Sequence, residues 1–533
     1  MQSKKLINIL MVAGIAVCLL QIWLPQYYLT GDGPCHVYNA KVLHDLWLNK
    51  DTTFYYRFYT IVYQPNPNWL SHILLAIPMS LVSGVVAEKL FLTFYALLYA
   101  GGLYLLLKKI SGIPSYWLLL IFLFIFNHAL AKGFYNFSLA TAFYSWMAWS
   151  WLRFIDNKSP LNTFAFFAFS ALIFFTQLLP FIFGWVTCFA LIVTYTLAKE
   201  YRGIHRPIVF FAKNMVALVI LTAPFLALMQ WFTAKEGGLR IQWEHNLFRI
   251  KELVAFKYLI SASGKEFFFA AISGIAIISF FIAAVFLRFR NGFKVNKYDG
   301  FLLSLVFVFG VYLLFPEQFM GRVILMAMRV QLFVFLLLAV CAGYMLPVHL
   351  KNAGGGILFA CFLGISIAKL TYLMPASAGV ADYLSGAKYI KPYSVILPLD
   401  FAPAGIGENG APIAEKNYIF THAAEYIGAG KPLIFLDNYE ALAGYFPLLW
   451  TYKTNPYAHL SREEGIEGLP PCADIEAYEK SSGEQIDYVI MWCYNPTFLN
   501  KGHYQYLAAQ IAAHYHLINT SPSGRALLYE RNR

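Results

Sequence analysis

Residues 6–24 read LINILMVAGIAVCLLQIWL, and residues 28–40 read YLTGDGPCHVYNA. The first stretch is an apolar run of the length that crosses a bilayer as a helix. Lys4 and Lys5 precede it, as they would precede the core of a secretory signal. Trp23-Leu24-Pro25 is too bulky for a cleavage site, so the run reads as a retained first span with its N-terminus inside. The second stretch then emerges on the outer face. Gly31 and Gly33 flank Asp32 and suit a tight turn that presents its carboxylate. Pro34 suits the first turn of a helix that carries His36, Tyr38 and Asn39.

The rest of the chain repeats the apolar theme. Of its 533 residues, 59% are hydrophobic and 13% charged, where a soluble protein carries roughly 25% charged residues. In water such a chain would expose too much apolar surface. The net charge of +12 does not point to nucleic acid, because the Lys and Arg residues lie in short clusters between apolar runs, which is how membrane proteins mark their cytoplasmic side. Apolar runs at 90–107, 116–130, 137–154, 161–177, 181–197, 209–232, 266–286, 300–315, 323–345 and 357–373 bring the spans to eleven. The run 69–86 is apolar enough to be a twelfth. Counting it would put the later basic clusters outside, and Pro65, Pro67 and Pro78 interrupt the segment, so it reads as a helix lying in the interface.

From about residue 375 the composition turns mixed. Strand-like runs at 393–399, 432–436, 487–492 and 526–529 alternate with helix-like runs at 421–428 and 503–514, the pattern of a small α/β domain. The expected fold is a polytopic α-helical membrane protein of about 11 transmembrane helices with a C-terminal soluble α/β domain. Its divisions are 1–374, including a large outer loop 25–89, and 375–533 on the outer face. The cysteines show no metal spacing. Cys472 and Cys493 can pair if that domain meets an oxidising compartment.

This layout resembles the GT-C superfamily of lipid-dependent glycosyltransferases. The features that carry the likeness are Asp32 at the mouth of the first span, the interfacial stretch 66–86, the outer turn 127–136 and the outer tail. Residues 31–40 also look like a stretch found in bacterial members. The resemblance implies a glycosyltransferase, hexosyl or pentosyl, moving a sugar from a polyprenyl-phosphate donor to a lipid or glycan acceptor on the outer face of a bacterial inner membrane. It implies Asp32 as the catalytic carboxylate, with His36 one helical turn on to assist it or to hold a metal. The chain departs from the family where many members carry a second acid: Asp32 is followed by Gly33, and the turn after the third span holds His128, Lys132 and Asn136 but no acid. A divalent metal therefore stays open, since hard cations want carboxylate oxygens.

Other residues suit substrate binding. Arg322 and Arg329 are seven apart and share a face if both are helical. An Arg in a span is costly and marks a functional position, and its planar fork matches a phosphate. Glu317 can stand in for the missing acid or pair with Arg322. The tail carries no catalytic motif and reads as a lid or acceptor-binding module. Two rival readings stand beside the glycosyltransferase: a lipid or glycan transporter or flippase, and a non-catalytic envelope assembly protein.

Overall fold

The computed structural model describes residues 2–198, 207–235, 248–316, 318–319, 322–323, 325–407, 409–462 and 465–532. Eight helices among them are long and apolar enough to cross a membrane, from Lys4–Trp23 to Val348–Tyr389. The apolar helix Pro160–Thr176 is shorter, and the buried helix Tyr135–Asp156 has 22 residues. Each of the eleven apolar runs falls on a helical segment, so the protein is a polytopic helical membrane protein.

The run 69–86 forms no span. It is a helix over Leu70–Ala76, a 3-10 turn over Ile77–Ser80 that takes up Pro78, and a break at Ser83, whose side chain accepts from Val86 N–H to start the helix Gly84–Ser111. The third run departs from the expected α-helix. Tyr116–Phe124 is a 3-10 helix, followed by a short α-helix at His128–Ala131 that Asn127 caps. Nine residues of 3-10 structure are unusual because its hydrogen bonds are poorly aligned. Irregular backbone survives at membrane depth only where protein surrounds it, and residues 117–130 are all buried. Trp117 Nε1 donates to the Ala339 carbonyl at 3.0 Å, and Tyr95 OH donates to that of Ile125 at 2.7 Å.

One boundary needs correction. The helix expected from residue 323 begins at Met326, and Arg322 lies in a short strand, Arg322–Val323, paired antiparallel with Gln318–Phe319. Leu325, at φ +45°, separates the two. The face expected to carry both Arg322 and Arg329 therefore does not exist as one helix.

The helix Val348–Tyr383 runs through Pro375 and delivers the chain to a five-stranded sheet. Its order is Leu433–Phe435, Ser394–Asp400, Tyr488–Trp492, Ala526–Arg531 and Tyr515–Thr520; the first three strands are parallel and the last two antiparallel. Four of the five follow the strand-like runs. Tyr515–Thr520 did not declare itself, because it is an edge strand with mostly open positions. A second, two-stranded pairing joins Tyr59–Ile61, in the segment after the first helix, to Leu448–Trp450 of the tail. All seven cysteines are thiols, so Cys472 and Cys493 are not joined.

The helix Val348–Tyr383 approaches the 3-10 segment through glycine. A Cβ on Gly355 would lie 2.1 Å from the Tyr116 carbonyl carbon, whereas one on Gly356 would meet nothing within 4 Å. Overpacking of backbone typically costs about 1–3 kcal/mol, while Gly to Ala in an open helical position gains up to about 1 kcal/mol. Gly355→Ala should lower the thermal midpoint of the detergent-purified protein by several degrees, and Gly356→Ala should hold or raise it. Equal midpoints for the two variants would contradict the packing.

Candidate functional site

Asp32 sits at the N-terminus of the helix Gly33–Trp47, and its side chain makes no capping bond. The turn that carries it is fixed by the turn after the third helical run. Gly31 and Asp32 donate their N–H groups to the carbonyls of Ala131 and Lys132, at 3.0 and 2.9 Å. Gly133 makes the approach possible: its φ is +89°, and a Cβ there would lie 2.3 Å from the Asp32 nitrogen. Beneath the turn, Gly33 N–H donates to Thr30 Oγ1 at 3.1 Å. Tyr135 OH and Tyr426 OH donate to the two carboxylate oxygens of Glu88 at 2.6 and 2.7 Å.

A cavity of about 460 Å³ opens over this turn. Asp32, His36, Lys132, Asn136 and Arg329 all line it, so five of the residues singled out in the sequence meet at one place. Arg329 stacks its guanidinium over Phe134, 4.4 Å from the ring centroid. Lys132 Nζ stands 5.8 Å from the ring centroid of Tyr418. Asn136 also tethers the interfacial segment, since its Nδ2 donates to the Asn68 carbonyl and its Oδ1 accepts from Ser71 N–H, each at 3.1 Å. His128 is not at the cavity; it is buried with Nδ1 2.6 Å from the Ile260 carbonyl. Glu317 and the side chain of Arg322 lie outside the described residues.

The tail supplies the facing wall with His422, Tyr439, Glu467, Tyr418 and Phe446. Sequence reasoning passed over these residues, because none stands in a motif and they come from separate loops. It also missed what lies behind His36. Glu440 Oε1 is 2.7 Å from His36 Nδ1, and Oε2 is 2.9 Å from His72 Nε2, with all three residues buried. Asn39 Nδ2 donates to the same Oε2 at 2.7 Å. Burial alone would raise the Glu440 pKa, but the His36 and His72 imidazoles outweigh it and hold the carboxyl far below its usual range. Burial likewise opposes the His36 charge, and Glu440 and Asp32 raise its pKa regardless. Burial pushes the Asp32 carboxyl above the ordinary value, against the pull of His422 and His36.

Among the described residues, two groups of side chains are close enough to share a cation: His36, His72 and Glu440, and His422, Glu425 and Asp437. The first is already knit by the hydrogen bonds above. In the second, His422 Nδ1 is 3.7 Å from Glu425 Oε1 and 3.5 Å from Asp437 Oδ2.

Removing one partner of a buried charge pair typically costs about 3–5 kcal/mol. Glu440→Gln keeps the shape and leaves His36 without its counter-charge. It should lower the thermal midpoint strongly, and more than removal of the exposed Lys391–Glu530 pair. An unchanged midpoint in Glu440→Gln would show that the pair does not hold the tail in place.

No family model matches this sequence, and no curated protein matches it. The structure is similar to that of ArnT from Cupriavidus metallidurans bound to undecaprenyl phosphate, with a TM-score of 0.55 and 11% identity over 99% of this chain and 98% of that one. The protein thus has an ArnT-like fold, membrane helices followed by a C-terminal α/β domain.

Proposed function

We propose that the protein is a membrane glycosyltransferase that moves a sugar from a polyprenyl-phosphate donor to a lipid or glycan acceptor at the outer face of a bacterial inner membrane. The observation that carries this reading is one cavity in which the Asp32 carboxylate shares its walls with Lys132 and Arg329. The ArnT-like fold supports it, since that structure holds a polyprenyl phosphate. A second cavity of about 640 Å³ shares Lys132, Asn417 and Tyr418 with the first, and Lys251, Lys257 and Lys416 make it basic. Such a cavity suits the phosphate end of a lipid donor.

In the proposed reaction, Asp32 takes the proton of the acceptor hydroxyl as its oxygen attacks the anomeric carbon. The bond from that carbon to the phosphate oxygen breaks, and its electron pair leaves with the polyprenyl phosphate. Arg329 and Lys132 neutralise the charge that gathers there. The raised pKa of Asp32 makes it a stronger base than an exposed carboxylate. The donor is lipid-linked because an outward-facing site has no supply of cytosolic nucleotide sugars.

Asp32→Asn should lower sugar transfer from labelled polyprenyl-phosphate donors in membranes by about 10²–10⁴, the range typical of acid–base residues. Arg329→Lys keeps the charge and loses the planar fork, so its loss should be intermediate. Full activity in Asp32→Asn at matched expression would remove the role given to that carboxylate. Failure of the wild type to use any lipid-linked sugar would remove the enzyme reading. For topology, protease added to intact spheroplasts should cut within residues 375–533. Cleavage from inverted vesicles alone would reverse the assigned faces.

A further inference from the structure

The wall that the tail contributes to the cavity holds a group of side chains that glycosyl transfer, as proposed above, does not use. His422, Glu425 and Asp437 are all buried, at 3%, 0% and 3% exposure. Both oxygens of Glu425 and both oxygens of Asp437 are shut off from solvent without a hydrogen-bond donor, and so is His422 Nδ1. Each such orphan carboxylate oxygen carries a desolvation cost of about 1–3 kcal/mol or more. The neighbouring His36–His72–Glu440 group has this deficit only in part: Glu440 Oε1 and His72 Nδ1 lack a hydrogen-bond partner, while His72 and Asn39 reach Glu440 Oε2 at 2.9 and 2.7 Å.

We infer that His422, Glu425 and Asp437 form a binding site for one first-row divalent cation of the zinc or manganese kind. The spacing fits. Ligand atoms about 2.1 Å from a tetrahedral centre lie about 3.4 Å apart, and His422 Nδ1 is 3.5 and 3.7 Å from the two carboxylates. Those separations are too long for good hydrogen bonds and suit groups that meet through an ion. The donor set of one imidazole with two carboxylates favours zinc or manganese over magnesium or calcium, which want oxygen alone.

The fold supplies a reason for the location. The strands Ser394–Asp400 and Leu433–Phe435 are parallel neighbours, so Asp400 and Asp437 leave the sheet at the same edge, beyond the carboxyl ends of the strands. Open α/β sheets bind their ligands at that edge. Asp400 Oδ2 is itself buried without a donor. A divalent cation would supply the partner that these buried carboxylate oxygens lack. The ion would brace the loop that carries Tyr439 and Glu440, and so hold the tail against the helix of Asp32 and His36.

His422 also lines the proposed transferase cavity, so the test reads metal and stability and not sugar transfer. The detergent-purified full-length protein, stripped with a chelator and loaded with zinc or manganese, should retain about one equivalent by elemental analysis. Loading should raise the thermal midpoint, and magnesium should not. Cobalt(II) in place of the ion should give a visible ligand-field band. Glu425→Gln and Asp437→Asn should each weaken metal binding at least about tenfold, while Glu440→Gln should leave it in place. A wild type that retains no ion, shows no cobalt band and gains no stability would overturn the inference, and needs no variant to fold. Binding that survives Asp437→Asn and vanishes in Glu440→Gln would also overturn it, by assigning the ion to His36 and His72.

Discussion

The buried carboxylate of Glu440 is the interaction on which the site depends. It comes from the tail and lies between two imidazoles of the segment that follows the first helix, His36 and His72. A lone carboxylate at that depth would cost several kcal/mol, so the tail keeps this position only with both imidazoles against it. The helix that carries His36 begins at Asp32, and the helix that carries His72 is tethered through Ser71 to Asn136. One charge thus ties together the segment after the first helix, the turn after the third helical run and the tail.

The cavity follows from that arrangement. The helical region contributes Asp32, Lys132 and Arg329, while the tail contributes His422, Tyr439 and Glu467. Neither part makes the cavity alone. The short pairing of Tyr59–Ile61 with Leu448–Trp450 adds backbone hydrogen bonds to the same junction. Around it, glycines let backbone approach backbone: Gly133 against Asp32, and Gly31 against the Lys132 carbonyl. The close approach fixes the Asp32 turn through its backbone, and the residue lines the cavity beside Tyr439.

The acid expected after the third helical run is absent, yet the site is rich in acids. Glu467 lines the cavity and receives the Tyr457 hydroxyl at 2.8 Å. Glu88 lies under the Asp32 turn, and Glu425, Asp437 and Asp400 lie behind the tail wall. Their places in the chain are far from 127–136, so no local pattern joins them. Their shared feature is burial at one junction, a property of packing and not of spacing.

Much of the fold was legible because solvation acts locally. An apolar run of bilayer length has few alternatives to a buried helix, so each of the eleven runs found a helical segment, and Pro78, with Pro65 and Pro67 just ahead of the run, was enough to mark 69–86 as broken. Asp32, flanked by glycines at the end of the first span, was legible for a similar reason: the turn and the span are both short-range. The 3-10 geometry of Tyr116–Phe124 was not, because protein packed on every side permits it and a hydrophobic sequence does not encode it. The start of the helix at Met326 turned on a single backbone angle at Leu325. By itself, then, the sequence determined the number and order of the helical runs, the mixed α/β tail and the identity of Asp32, Lys132 and Arg329 as residues at their ends. Tertiary structure alone decided that His36 faces Glu440, that His128 turns away, and that His422, Glu425 and Asp437 converge. The first crosses some four hundred residues and the last lies within 422–437, yet both depend on desolvated groups meeting in the packed fold, which the local sequence pattern does not encode.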